Sequence, residues 1–174
     1  MEFRFETKYD KKATTAMARV LRKTVRKKRS LRTRFFAVIV AVLGLALSVG
    51  DVIRRNVAAK TIITWLAVAA VSLTAIFEDR INGLAARKAA MSCQNDAESI
   101  FTESGFTTKT AGAVTEWSYD RISAAAETPE YFVLIFDQNH AQVLDKSSLE
   151  GGSALEFRAF MANKIGNPVV RLEK

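Results

Sequence analysis

The spacing of apolar residues divides the chain into segments of different period. Residues 2–7 (EFRFET) alternate, with Phe3 and Phe5 on one face and Glu2, Arg4 and Glu6 on the other, which predicts a short strand. From Asp10, a candidate N-cap, the period lengthens. Met17, Val20 or Leu21, and Val25 recur at helical spacing, while Arg19, Arg22, Lys23 and Arg26 fill a wider polar face. Two nearly unbroken apolar runs follow. The first, FFAVIVAVLGLALSVG from Phe35 to Gly50, continues past Asp51 through Val52 and Ile53. It spans about 19 residues, or roughly 28 Å of helix against a hydrocarbon core of about 30 Å. The second, TIITWLAVAAVSLTAIF from Thr61 to Phe77, has no charged residue and sits at the short end of the spanning range.

Beyond Phe77 the pattern is helical again through about Met91 (EDRINGLAARKAAM), expected to continue the second run as a stalk or to bend near Gly83, with Asn95-Asp96 as a break. The period then falls to two. Strands are predicted at 99–103, 106–110, 114–118, 122–127, 131–136 and 141–145, with turns at Ser104-Gly105, Ala111-Gly112, Thr128-Pro129-Glu130 and 137–140. A final helix is expected from Ser153, with Ser153 and Glu156 spaced as a capping box and Gly166-Asn167-Pro168 as its end.

A buried core helix of a small soluble domain carries a polar stripe, and neither apolar run has one. A secretory signal does not fit the first run, because a basic arm of 34 residues precedes it and a second run follows closely. The expected fold class is therefore an α+β membrane protein: a two-helix transmembrane hairpin and a small cytoplasmic antiparallel β domain closed by a C-terminal helix. The divisions are a strand and basic amphipathic arm (1–34), transmembrane helix 1 (35–53), an external loop (54–60), transmembrane helix 2 (61–77), a helical stalk (78–95) and the β domain (96–174).

Charge sharpens this picture. The net charge of residues 1–34 is +10, of residues 51–60 +2 and of residues 78–174 −4, which together make the chain's +8. Nine bases lie in the stretch before the first run: Arg19, Arg22, Lys23, Arg26, Lys27, Lys28, Arg29, Arg32 and Arg34. The link between the runs holds three (Arg54, Arg55, Lys60), and the first residues after the second run three more (Arg80, Arg87, Lys88). The excess of bases stays on the cytoplasmic side, so both termini are expected inside and the link outside, with Trp65 near the outer interface. The nine bases are candidate contacts to acidic phospholipids. They lack interleaved aromatics, so a single-stranded nucleic-acid platform is not expected.

Catalytic chemistry finds little to build on. One histidine, His140, excludes a multi-histidine metal site, and the single Cys93 excludes an intramolecular disulfide. Gly151-Gly152 precedes a helix without the Lys-Ser/Thr of a phosphate loop. No enzyme, cofactor or metal is expected. Among the large aromatics, Trp117, Tyr119 and Tyr131 are candidates for a ligand or partner groove, although such residues more often belong to the core.

The C-terminal half also resembles a known family. Thr102-Glu103-Ser104-Gly105-Phe106, the stretch from Trp117 to Ile122 (WSYDRI), Glu127-Thr128 before Tyr131-Phe132-Val133-Leu134, Val143 to Lys146 (VLDK) and Glu156-Phe157 occur in the order found in the bacterial YcxB-like proteins. The resemblance covers roughly residues 98–165 and departs at Asp145 and Ser147-Ser148. It implies a compact pleckstrin-homology-like β domain and a bacterial inner-membrane location, and it carries no catalytic activity. It also suggests that the EFRFET strand joins the β domain, which would make the hairpin an insertion. The function expected is a membrane-anchored interaction module for an unidentified protein or peptide. The alternative is a homo-oligomeric scaffold or pore built from the spans, whose small residues favour close helix packing.

Overall fold

The computed structural model describes residues 2–53, 59–89 and 96–172. Most of the predicted 54–60 link, Cys93 and the end of the stalk lie outside the described residues. Strand β1 (Phe3–Lys8) leads into helix α1 (Lys11–Lys23), the long helix α2 (Lys27–Ile53), and helices α3 (Ala59–Ile76) and α4 (Glu78–Ala89). The β-rich part comprises β2 (Asp96–Phe101), β3 (Phe106–Thr110), β4 (Ala113–Trp117), β5 (Ala124–Glu127), β6 (Tyr131–Ile135), β7 (Ala141–Asp145), helix α5 (Ala154–Ile165) and the short β8 (Val170–Arg171).

Two four-stranded sheets form, ordered β1-β2-β3-β4 and β7-β6-β5-β8. β1 pairs antiparallel with β2, from Phe3 opposite Phe101 to Lys8 opposite Asp96, so α1 through α4 are inserted between two hydrogen-bonded neighbours. This pairing also explains why β2 begins at Asp96, where a break was expected: Lys8 opposite Asp96 extends the ladder. At the other end the expected strand stops at Phe101, because Thr102 turns its N–H to the Gly105 carbonyl at 2.9 Å. The alternation of β1 is realised, with Phe3, Phe5 and Thr7 buried and Arg4, Glu6 and Lys8 exposed.

The main core lies between the sheets and under α5. Phe157 of α5 is fully buried there, its ring 5.3, 4.7, 5.1 and 5.0 Å from those of Phe3, Phe5, Phe101 and Phe132. A second cluster lies on the opposite face of β6 and β7, where Ala13, Val20 and Leu21 of α1 cover Tyr131, Val133, Ile135 and Val143. That is why β6 is buried at every position rather than alternately. The helix caps follow the sequence. Asp10 accepts from the Ala13 N–H at 2.7 Å, Ser153 and Glu156 close a reciprocal capping box, and Gly166 ends α5 at φ +66°.

α4 does not form the expected stalk, nor does the chain bend at Gly83. The bend falls at Phe77, and α4 turns onto α1. Gly83 permits that contact, because a Cβ there would stand 3.0 Å from the Cα and Oγ1 of Thr15. β8, absent from the sequence reading, pairs parallel with β5 through Ala126 opposite Val170 and Glu127 opposite Arg171.

α2 and α3 form an antiparallel hairpin. Gly44 meets Val68 and Thr64, with a Cβ at Gly44 falling 2.5 Å from Val68 Cγ2. Ser30, Ala37, Gly44 and Ser48 make one buried stripe of small residues along α2, which meets α3 at Gly44 and Glu78 of α4 at Ser30. The other faces are open: only 11% of the most apolar window of α2 and 6% of that of α3 are buried, with Phe35 at 67% exposure and Leu47 at 79%. Both helices are long and apolar enough to cross a membrane.

Candidate basic site

Eight of the nine bases before the first apolar run have described side chains; these gather where the hairpin meets the β domain and divide into two groups. One group secures the helices to each other. Arg22 donates from Nε to Asp79 Oδ1 at 2.5 Å and from Nη2 to Oδ2 at 2.7 Å, a bidentate pair whose side chains are each 17% exposed. Arg19 Nε stands 3.7 Å from the same carboxylate. Beside it, Ser30 Oγ donates to Glu78 Oε2 at 2.7 Å and Arg34 Nε lies 3.7 Å from that oxygen. The Ser30–Glu78 bond places the start of α2 beside the end of α3, so both ends of the hairpin leave on one side.

Glu78 and Asp79 escaped the sequence reading. Their signal was present: an acidic pair directly after an apolar run, opposite a strongly basic arm. Replacing Asp79 by Ala is expected to cost about 2 kcal/mol, between exposed and buried ion pairs. The Arg22→Asp/Asp79→Arg exchange should restore part of this in a double-mutant cycle read by thermal unfolding in detergent. Additive losses with no recovery would show that the pair contributes little.

The second group faces outward. Lys23, Lys27, Lys28 and Arg32 are exposed around the α1–α2 corner, and the Arg29 side chain lies outside the described set. Arg26 reaches across to the β6–β7 turn, donating to the Gln138 carbonyl at 2.6 Å and to Asn139 Oδ1 at 3.0 Å. That turn is itself tightly organised. Asp137 Oδ1 accepts the N–H groups of Asn139 and His140, and Oδ2 lies 2.7 Å from His140 Nδ1. The Asn139 N–H, followed by the His140 ring and N–H, holds the Asp137 carboxyl down at about 2. Between the turn and α2 lies a depression of about 660 Å³. Arg26, Lys28, Arg32, Val25, Phe36 and Gln138 line it.

The three aromatic candidates do not assemble into one groove. Tyr119 sits in the main core, where its hydroxyl donates to the Thr102 carbonyl at 2.6 Å and approaches that of Gly105 at 3.1 Å. Burial, aided by the charge of Glu103, pushes its hydroxyl up to about 12 despite the Thr102 bond. Tyr131 belongs to the other cluster beneath α1, and Trp117 stacks on Phe106 and Phe136 at the edge of the main core. Tyr131 and Trp117 line separate depressions.

Residues 101–161 match the model of the YcxB-like protein family. The YcxB-like segment runs from the last residue of β2 into α5, leaving β1 and all four helices before β2 outside the match. No curated protein and no solved structure matches the chain.

The marks of the YcxB-like segment are mostly ties and core. Glu127, 10% exposed, accepts from Lys146 Nζ at 2.6 Å and Arg158 Nη1 at 3.0 Å, with Arg171 Nε at 3.5 Å. It thereby joins β5 to the segment after β7, to α5 and to β8. Lys146 also lies over the Phe132 ring at 4.8 Å. The departure at Asp145 and Ser147-Ser148 builds a local cap, in which Asp145 Oδ1 accepts from Ser147 N at 2.9 Å and Ser148 Oγ accepts the Glu6 N–H at 3.0 Å.

Burial raises the Glu127 carboxyl, but the bonds from Lys146 and Arg158 outweigh it, and the group ends below its ordinary 4.5. A carboxylate lowered by folding stabilises the native state fully above its unfolded value, and this contribution fades as pH falls through the folded value. Glu127→Gln should therefore flatten the loss of stability below about pH 4.5, measured by urea unfolding across pH 3 to 6. An acid limb as steep as that of the parent protein would assign the effect to other carboxylates.

Proposed function

We propose that this chain is an integral membrane protein of the bacterial inner membrane, in which the α2–α3 hairpin holds a pleckstrin-homology-like β module at the cytoplasmic surface. The observation that carries this reading is the hairpin itself. Its apolar faces are open over nearly their whole circumference, while both its ends enter a packed, strongly basic junction. In water, so large an exposed apolar surface would drive association. In a bilayer it is the surface required, and the bases fall on the side that stays cytoplasmic. Two sheets closed by a C-terminal helix support the pleckstrin-homology-like reading.

The module acts by binding a protein or peptide rather than by catalysis. One open edge is β4, which has no neighbour beyond it among the described strands and is exposed along most of its length. An extended segment can add there as a further strand. The scaffold or pore reading is weaker, because the small-residue stripe that would join copies already packs against the chain's own second helix.

Topology is tested with single-cysteine variants in a Cys93→Ser background. Lys60→Cys should react with a membrane-impermeant maleimide in intact cells, and Glu130→Cys only after permeabilisation. The opposite pattern overturns the cytoplasmic placement of the termini, and release of the protein by alkaline carbonate ends the membrane reading. A photo-crosslinking residue at Val114, on β4, should give adducts with a second polypeptide. Their absence removes the support for the binding module.

A further inference from the structure

We propose that the depression between the start of α2 and the β6–β7 turn binds the phosphate of an anionic membrane lipid. This rests on the membrane reading above and adds a specific site to it. Lys28, Arg32 and Phe36 are four residues apart on α2 and therefore lie on one face. At 1.5 Å per residue, Arg32 stands about 6 Å above Phe36 and Lys28 about 12 Å above it. The headgroup layer of one leaflet is roughly 5–8 Å thick. With Phe36 at the edge of the hydrocarbon, Arg32 lies at the depth of the lipid phosphates and Lys28 just outside it.

The rest of the depression fits the same ligand. Arg26 forms part of the wall, and its guanidinium is already oriented by Gln138 and Asn139 of the turn. Ordering it costs a ligand little. Phe36 gives the depression an apolar side suited to the start of an acyl chain. Lys28 and Arg32 are exposed, and among the described residues no carboxylate pairs with either. They contrast with Arg19, Arg22 and Arg34, which Glu78 and Asp79 occupy. The two guanidinium groups, planar and forked, suit the oxygens of a phosphate. Diffuse attraction to a charged surface would need none of this arrangement.

The test uses the full chain in mild detergent, titrated with phosphatidylglycerol, with the first bound lipid followed by native mass spectrometry. Lys28→Gln/Arg32→Gln should weaken that first lipid about thirtyfold, taking the usual contribution of each surface base. Both residues are exposed, so the variant should retain the parent's unfolding temperature. Lys11→Gln/Lys27→Gln removes the same charge outside the depression and should weaken binding less than about threefold. Phosphatidylcholine should bind far more weakly than phosphatidylglycerol. Equal losses in the two double variants would overturn the proposal in favour of diffuse attraction. Displacement of the lipid by equimolar glycerol phosphate would overturn it in favour of a soluble phosphate ligand. If alkaline carbonate releases the parent protein from membranes, the membrane reading fails and the lipid site with it. Retention of every variant without a difference in lipid affinity defeats the site alone.

Discussion

Phe157→Ala is expected to remove most of the stability of the β domain. Its ring is fully buried, and four other phenylalanine rings meet it within 5.3 Å. Truncating a buried phenylalanine costs about 3–5 kcal/mol, and the aromatic pairs place this site at the upper end. Two of those rings, Phe3 and Phe5, come from the strand before the hairpin, and Phe101 and Phe132 come from after it. The cavity would therefore loosen the union of β1 with the rest of the domain. Phe157→Leu keeps most of the volume and should cost about 1.5 kcal/mol or less. Thermal unfolding in detergent, followed by near-ultraviolet circular dichroism, separates the two. A loss below about 1 kcal/mol for the alanine variant would mean that α5 repacks freely and is not the centre of the core.

Gly151→Ala should be the next most damaging change, for two separable reasons. The backbone there has φ +85°, which any side chain resists. A Cβ would also stand 2.1 Å from the Glu2 carbonyl oxygen, which is backbone and cannot rotate away. β1 would have to shift, breaking the paired bonds from Arg4 N to Glu150 O at 3.1 Å and from Glu150 N to Arg4 O at 2.9 Å. Together the strain and the overpacking amount to about 3–4 kcal/mol. Gly166→Ala isolates the first cause, because φ is +66° but nothing lies within 4 Å; about 1 kcal/mol is expected. Gly112→Ala meets neither problem and should change stability by less than about 0.5 kcal/mol. If the Gly151 and Gly166 variants lose equal stability, the close approach of β1 has no energetic weight.

Elements whose cause is local were legible in the chain. The alternation of EFRFET, the Asp10 cap, the Ser153–Glu156 box and the Gly166 stop each depend on residues a few positions apart. The six predicted strands of the C-terminal half fell within a few residues of β2 to β7 for the same reason. The two apolar runs were plain from composition, since each is continuous over a helix long and apolar enough to cross a membrane.

The candidate site was only half legible. The basic arm was visible as a charge run, but sequence cannot say which base meets which acid. Arg22 and Asp79 are 57 residues apart and meet because α4 turns at Phe77 and packs on α1. Lys28 and Arg32 stay open because Arg19, Arg22 and Arg34 face the acids. Tyr119 and Tyr131, similar in sequence terms, went to opposite faces of a sheet once β6 was buried from both sides. By itself, then, the sequence determined the apolar runs, the helix caps and the approximate positions of β1 to β7, because those follow from short-range periodicity and capping. Only the tertiary structure decided which strand β1 pairs with, that α4 folds back onto α1 and is clamped there by arginine, and which bases face outward, because those outcomes depend on contacts between residues far apart in the chain.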